Sequence, residues 1–278
     1  MSDFPLVIVV TRTKNRTSLL RRALQSVQQQ SYGRYYHVIV NDGGDANEVE
    51  SLVNEFQDSR IKVLHNRESL GMEGASNRGL EAYVGDFAAI HDDDDSWSRD
   101  FLEKTVSYLV DNPAVAGVVT NITQVFETVE RGVAQPISSR PFNPAVKHFR
   151  FDDFLVVNQF VPIGFVYRYS LHQTLGLFDP SLLVCGDLDF HLRVLQQHRI
   201  GKISDYLANY HIRCDSKESA MTNSVAQSVK HQNFAAQVVA KYEQRTRLRR
   251  WMSVIRVKAY YRVMNILMRT GYKLGIGR

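Results

Sequence analysis

Through its first 112 residues the chain switches repeatedly between two hydrophobic periods. LVIVVT (6–11) is a continuous β-branched run, which predicts a buried strand. In SLLRRALQSVQQQ (18–30), Leu19, Leu20, Ala23, Leu24 and Val27 recur at the spacing of one helix face. HVIVND (37–42) predicts a second strand, closed by the turn residues DGGD. The alternation continues with helix ANEVESLVNEF, strand IKVLH (61–65), helix GASNRGLEAYV and strand DFAAIH (86–91). Helix RDFLEKTVSYLVDN follows, stopped by Pro113, and AVAGVVTNITQVF predicts a fifth strand or a pair.

Strands alternating with helices predict βαβ units and a parallel sheet covered on both faces. Such sheets bind ligands outside the carboxyl ends of their strands. Residues 12–15, 41–45 and 92–95 all follow predicted strands, so they are expected to converge on one edge. From 128 to 153 the pattern breaks, which predicts a loop with little regular structure. VPIGFVYRYSLHQTLGLFDPSL and GDLDFHLRVLQQHR predict a strand and a helix, and from about Val225 the chain reads as helical. There is no internal repeat.

With 278 residues, 44% hydrophobic and 23% charged, the composition is that of a globular protein with room for a core. No apolar run approaches the roughly 18 residues of a membrane span, and MSDFPLVIVV reads as a first strand, not a signal peptide. Two cysteines, Cys185 and Cys214, make neither a disulfide framework nor a zinc set and fit a reducing cytoplasm. The net charge of +5 is uneven: residues 241–278 carry about +10 and the body about −5. In that tail, Val254, Val257, Tyr261, Met264 and Met268 share a helix face beside Lys258, Arg262, Arg269 and Lys273. An apolar stripe with a basic flank predicts peripheral contact with an anionic membrane, or packing on a protein surface. No RNA-reading motif or aromatic-rich basic patch lies in the acidic body, so no nucleic-acid partner is expected.

Neither a P-loop nor a GxGxxG fingerprint is present. Instead Asp92, Asp93, Asp94 and Asp95 stand side by side where a strand is expected to end. Adjacent carboxylates repel unless positive charge sits among them. A hard divalent cation with a phosphate beyond it fits oxygen donors; a solvated acidic turn or a helix cap is the plainer alternative. Asp42 can meet a base or ribose, or only make its turn with Gly43. Arg78 can reach a phosphate or be a surface charge. Asp187 can be a general base or a helix cap, with Asp189 assigned to helix-start structure. His211 can be a third metal ligand, a phosphate contact or structural.

Five segments in order, across roughly residues 5–195, resemble glycosyltransferase family 2, the inverting nucleotide-sugar transferases of GT-A fold. VVTRTKNRTSLLRRALQSVQQQSY stands for the family's strand and P-T-Y-N-R turn, and IVNDGGDANE for V-D-D-G-S-x-D. NRESLGMEGASNRGL stands for N-x-G-x-x-x-A-R-N-x-G-L, and IHDDDDSW for L-D-x-D-D-x-W. LGLFDPSLLVCGDLDFHLR stands for G-x-F-D-x-x-L with E-D-x-D-L-x-x-R. The departures are Arg12 for Pro, Lys14 for Tyr, Asn41 for Asp, His91 for an apolar residue and Gly186 for Glu.

The resemblance implies an α/β, Rossmann-like, mostly parallel sheet flanked by helices, with a C-terminal helical tail. It implies a catalytic domain over 1–225, divided into a nucleotide-sugar half (1–125) and an acceptor half (126–225), and a tail over 226–278. It assigns Asp187 as catalytic base. The nucleotide sugar would meet Arg12, Thr13, Asn15, Asp42, Gly43, Arg78, Asp92 and Asp93. Mn²⁺ or Mg²⁺ would meet Asp94, Asp92 and His211. The expected reaction transfers a sugar from a nucleotide diphosphate sugar to a glycan or lipid-linked acceptor, for cell-surface polysaccharide, in the cytoplasm or at the inner membrane face. The rivals are a metal-dependent nucleotidyltransferase, which would release pyrophosphate and not need Asp187, and a non-catalytic membrane-associated binding protein.

Overall fold

The computed structural model describes residues 4–130, 133–213 and 228–242. The β-branched runs form a parallel layer: β1 (Val7–Thr13), β2 (Tyr35–Asp42), β3 (Ile61–Asn66) and β4 (Phe87–Ile90). Between them lie α1 (Thr17–Gln28), α2 (Ala46–Phe56) and α3 (Gly71–Ala82). β1 sits centrally, paired in parallel with β2 and β4, and β2 continues to β3. Val7 to Val10 and Val38 to Val40 are fully buried, as strands covered on both faces must be.

After the short β5 (Ser96–Trp97) and α4 (Phe101–Asp111), the sheet changes sense. The later elements are β6 (Val115–Glu130), β7 (Val133–Phe142), α5 (Phe151–Phe154), β8 (Phe165–Arg168), α6 (Leu171–Leu175), α7 (Gly186–Gln197), β9 (Arg199–Arg213) and α8 (Ser228–Tyr242). β8 runs antiparallel between β4 and β6, β6 pairs in parallel with β9, and β5 closes the far side against β9. One nine-stranded mixed sheet results, in the order β3-β2-β1-β4-β8-β6-β9-β5 with β7 on β6. A continuous core runs through it from Val7 to Val239.

The structure corrects the loop expected over 128–153. β6 continues to Glu130 and returns as β7. β7 hides itself from pattern reading because it is almost wholly exposed and carries Pro136 and Pro141. Proline survives in a strand that pairs on one side only, and a register shift at Phe126/Glu127 absorbs one extra residue beside Pro136. α8, within the segment read as tail, packs Ala235, Val238 and Val239 into the core, and its Tyr242 hydroxyl lies 3.0 Å from Asp189. No helix among the described residues is long and apolar enough to cross a membrane. The amphipathic stripe expected beyond residue 242, and Cys214, lie outside the described residues.

Candidate active site

Because β1, β2 and β4 are parallel, their carboxyl ends deliver Arg12, Thr13, Asn15, Asp42 and the four aspartates to one edge. The run is not solvated: Asp93, Asp94 and Asp95 are all buried. The positive charge it needs comes from arginines. Arg12 Nη2 lies 2.7 Å from Asp92 Oδ1. Arg16, at the start of α1, donates to Asp94 Oδ2 at 2.6 Å and lies 3.3 Å from Asp93 Oδ1. Arg213, fully buried at the end of β9, pairs with both Asp94 and Glu127. Arg22 donates to the Asp94 carbonyl at 2.9 Å and meets Glu127 at 2.8 Å.

These partners set each acid's state. Burial alone would raise Asp94, but Arg16 and Arg213 outweigh it and hold its carboxyl below the usual range. Burial pushes Asp93 up to about 7 and raises Asp92 and Asp95, with neighbouring carboxylates adding to the effect. The Thr13 hydroxyl lies by Asp93, yet neither Thr13 Oγ1 nor Asp93 Oδ2 has a hydrogen-bond partner of normal geometry. Asp95 takes the backbone N–H of His211 at 2.9 Å.

His211 lies beside the cluster, held by two protein partners. Its Nδ1 lies 2.8 Å from Glu127, a carboxylate that only accepts, so Nδ1 carries the proton. Its Nε2 lone pair then faces the Ser96 hydroxyl at 3.0 Å. Both ring nitrogens are committed to protein partners. His211 and Arg22 hold Glu127 down to about 2 against the effect of burial. Among the described residues no three His, Cys, Asp or Glu side chains are grouped to hold a metal by themselves.

Asp42 reaches the edge but is occupied. It accepts from Asn66 Nδ2 (2.9 Å), Ser69 Oγ (2.7 Å), Leu70 N (2.8 Å) and Gly71 N (3.0 Å). Four donors fill the roughly four lone-pair sites of a carboxylate. These bonds shape the β3–α3 loop. Gly43, at φ +76°, packs against the Ser69 backbone of that loop, so a side chain there has neither room nor easy conformation. Asn15 ties the β1 turn to the β2 turn by accepting from Asp45 N at 3.1 Å. Arg78 is exposed, on a different face of α3 from buried Ser76, and is not brought to the cluster.

The second carboxylate centre forms where α7 begins. Cys185 sits at φ +67°, a left-handed position that costs a non-glycine residue energy and ends the preceding loop. Asp187 Oδ2 accepts from Asn158 Nδ2 at 2.6 Å, and Asn158 Oδ1 faces His191 Nδ1 at 3.2 Å. Burial raises Asp187, opposed by the Leu188 N–H, Asn158 and Arg12. Arg12 thus spans the two centres. It pairs with Asp92, donates to Ser76 Oγ at 2.7 Å, and feels Glu73 and Asp187. Asp189 faces away, bonded to Arg193 at 2.9 Å and to Tyr242.

Arg16, Arg22, Glu127, Arg213, Asn158, His191 and Glu73 have no role that the sequence alone assigns. Only Arg16 carries a signal there, as the Arg of the P-T-Y-N-R turn. The others reach the site from distant elements.

A mixed sheet with this strand order, gathering acids and arginines at the carboxyl edge of its parallel half, defines a GT-A transferase. The chain belongs to glycosyl transferase family 2, whose description matches residues 8–175. The uncharacterized glycosyltransferase YwdF of Bacillus subtilis is 27% identical over 198 residues, covering 71% of this chain and 70% of that one. The UDP-Glc:alpha-D-GlcNAc-diphosphoundecaprenol beta-1,3-glucosyltransferase WfgD of Escherichia coli is 33% identical over 112 residues, 40% of this chain and 44% of its own length. The mannosyltransferase PcManGT from Pyrobaculum calidifontis, solved with GDP-Man and Mn2+, shares the fold with a TM-score of 0.64 at 18% identity, covering 100% of this chain and 82% of that one.

Proposed function

We propose that this glycosyltransferase is a metal-dependent, inverting enzyme that moves a sugar from a nucleoside diphosphate sugar to a hydroxyl of a glycan or lipid-linked acceptor during polysaccharide assembly. One observation carries the reading: Arg12, paired at 2.7 Å with Asp92 just past β4, also lies within the electrostatic reach of the separate carboxylate Asp187. That is one charged platform and one base on a single edge.

The donor set suits a hard cation. It offers carboxylate oxygens, and one of them, Asp93 Oδ2, is buried without a hydrogen bond of normal geometry. Seven carboxyl groups (residues 92–95, Glu127, Glu73 and Asp187) stand with only four guanidinium groups, and five of the seven are raised, so a divalent cation would relieve their repulsion and meet the diphosphate. Asp94 and Asp92 would hold Mn²⁺ or Mg²⁺ together with the donor's diphosphate. Bound there, the ion supplies Lewis-acid charge to the leaving group.

The chain's own residues do the rest. Asp187 takes the proton of the acceptor hydroxyl as its oxygen attacks the anomeric carbon opposite the diphosphate, which inverts that centre. Asn158, itself oriented by His191, holds one Asp187 oxygen and leaves the other to the acceptor. Burial raises the affinity of Asp187 for that proton. A lipid-linked acceptor would bring the enzyme to an anionic membrane surface, which flotation with anionic vesicles at low and high salt tests.

The decisive test is turnover against UDP- and GDP-sugars with Mn²⁺, comparing Asp187→Asn with wild type. Asparagine can still bond Asn158 but cannot take the proton. Donor binding is expected to persist while transfer falls roughly 10²–10⁴-fold, the usual worth of a general base. Wild-type turnover in the variant would refute the role, and release of pyrophosphate would refute the reaction class.

A further inference from the structure

Gly186, directly before Asp187, is a place where the chain departs from the family pattern, which has Glu there. The structure shows what fills that space. A Cβ built on Gly186 would lie 2.5 Å from Oε1 of Glu73, and closer still to its Cδ. Glu73 comes from the first turn of α3 and is buried. Its carboxyl lies against the Gly186 backbone, where the Gly186 N–H favours its charged form. That N–H is among the first of α7, whose N-cap residue Cys185 makes no side-chain cap bond. Free N–H groups at a helix start want an acceptor, preferably an anionic one. The Glu73 carboxyl, supplied by another helix, is the acid that stands there.

A second exchange accompanies the first. Position 76, Arg in the family pattern, is Ser76 here. A guanidinium still stands beside it: Arg12 reaches over from β1 and donates to the Ser76 hydroxyl. Arg12 acts on Glu73, Asp187 and Asp92 together. The acid and the base that this pattern carries at 186 and 76 have each been replaced by a side chain from a different element.

We propose that Glu73 is a positioning residue for Asp187, the second carboxylate of the acceptor side delivered from α3 into the space above Gly186. It fixes the start of α7 through the Gly186 N–H and holds Arg12 between the two carboxylates. This rests on the reading of Asp187 as the base. It implies that Glu73 and a side chain at 186 exclude one another.

A swap tests it. Wild type, Glu73→Ala, Gly186→Glu, the double variant Glu73→Ala/Gly186→Glu, and Glu73→Gln are compared, each with Mn²⁺. Three quantities are read: thermal midpoint, Kd for the sugar nucleotide that turns over among UDP-glucose, UDP-N-acetylglucosamine and GDP-mannose, and kcat for its hydrolysis. Each single variant, Glu73→Ala or Gly186→Glu, is expected to lower kcat by about 10–100-fold with Kd within about threefold, as loss of orientation does. The double variant is expected to recover most of kcat and of the thermal midpoint. Glu73→Gln keeps the shape and an acceptor oxygen toward Gly186, so it should fold with a thermal midpoint no lower than wild type while kcat falls about tenfold. A double variant no better than Gly186→Glu, or Glu73→Gln at wild-type kcat, would overturn the proposal. Asp187→Asn separates the two readings: if it turns over normally the base assignment fails, whereas a dead Asp187→Asn beside fully active Glu73 variants sinks only the role of Glu73.

Discussion

At the donor end of the edge, Asp94 meets Arg16 and buried Arg213, and Glu127 meets Arg22, Arg213 and His211. Both acids are held ionised, below their ordinary range. At the acceptor end, Glu73 and Asp187 draw on one guanidinium that is already paired with Asp92, and both are raised. The residue type is the same and the burial similar, so the difference lies in the cations supplied. Asp94 and Glu127, each met by two arginines, keep a fixed charge on binding, whereas Asp92, Asp93 and Asp95 beside them are raised as the acceptor-end pair is. Acids short of arginine keep a raised proton affinity, which suits a group that must take a proton.

Removing Asp94 should break this contrast most severely. A cluster on the surface would let Asp94→Ala leave the fold untouched, but the structure shows Asp94 buried and paired with an arginine of no exposure. Deleting one member of a buried ionic group costs about 3 kcal/mol, because the partner charge stays behind. Asp94→Ala is therefore expected to abolish transfer and also to lower the thermal midpoint. Activity assays and calorimetry on the same preparation check this. Turnover at the wild-type rate would remove Asp94 from the donor platform, and an unchanged midpoint would show that Glu127 alone satisfies Arg213.

The two ends also differ in how far the chain announces them. The strands that carry the platform are runs such as LVIVVT and HVIVND, whose β-branched continuity is a local signal. The aspartate run is visible for the same reason. Its counter-charges are not, because Arg213 and Asp94 lie 119 positions apart and no periodicity links them. β9 escapes pattern reading because RIGKISDYLANYHIR keeps neither period for long, and β7 because an exposed edge strand need not alternate. Gly186 can be seen as a departure. Its compensation by Glu73 cannot, since it exists only once α3 and α7 are packed together. Asp42 shows the converse: a motif residue found in the right place, then committed by the fold to four donors of its own loop.

A titration sharpens the comparison at the acceptor end. Burial raises Glu73 from 4.5 to about 7, with Arg12 opposing. Between those values the unfolded chain has released this proton and the folded chain has not. The folded state then binds more protons, so stability falls as pH rises from about 4.5 and levels off above about 7. The loss approaches about 3 kcal/mol, since every tenfold gain in proton affinity on folding is worth about 1.4 kcal/mol. Glu73→Gln has no proton to lose. It should match wild type near pH 4 and be the more stable protein at pH 8, as read from denaturant midpoints at both values. Parallel pH profiles for the two proteins would place the carboxyl of Glu73 in a far more solvated or better paired setting.

The smallest effect on transfer is expected at Asp189, two residues from the proposed base and on the same helix. Spacing alone does not decide which of Asp187 and Asp189 is the base, since both fall in the first turn of α7. Their partners do. Asp189 is buried against Arg193 at 2.9 Å, Lys241 at 3.3 Å and the Tyr242 hydroxyl at 3.0 Å, so it fastens α8 to α7. Asp187 meets Asn158 and the field of Arg12 at the edge. Asn at 189 can still accept a hydrogen bond but loses the charge between two cations. Asp189→Asn should cost about 1.5–3 kcal/mol of stability, the worth of hydrogen bonds to charged groups, and leave transfer within about threefold of wild type, against a loss of at least about a hundredfold in Asp187→Asn. Limited proteolysis should find α8 released more readily in the variant. If Asp189→Asn lost transfer while Asp187→Asn kept it, the base would move to Asp189 and the acceptor end would have to be rebuilt around Arg193.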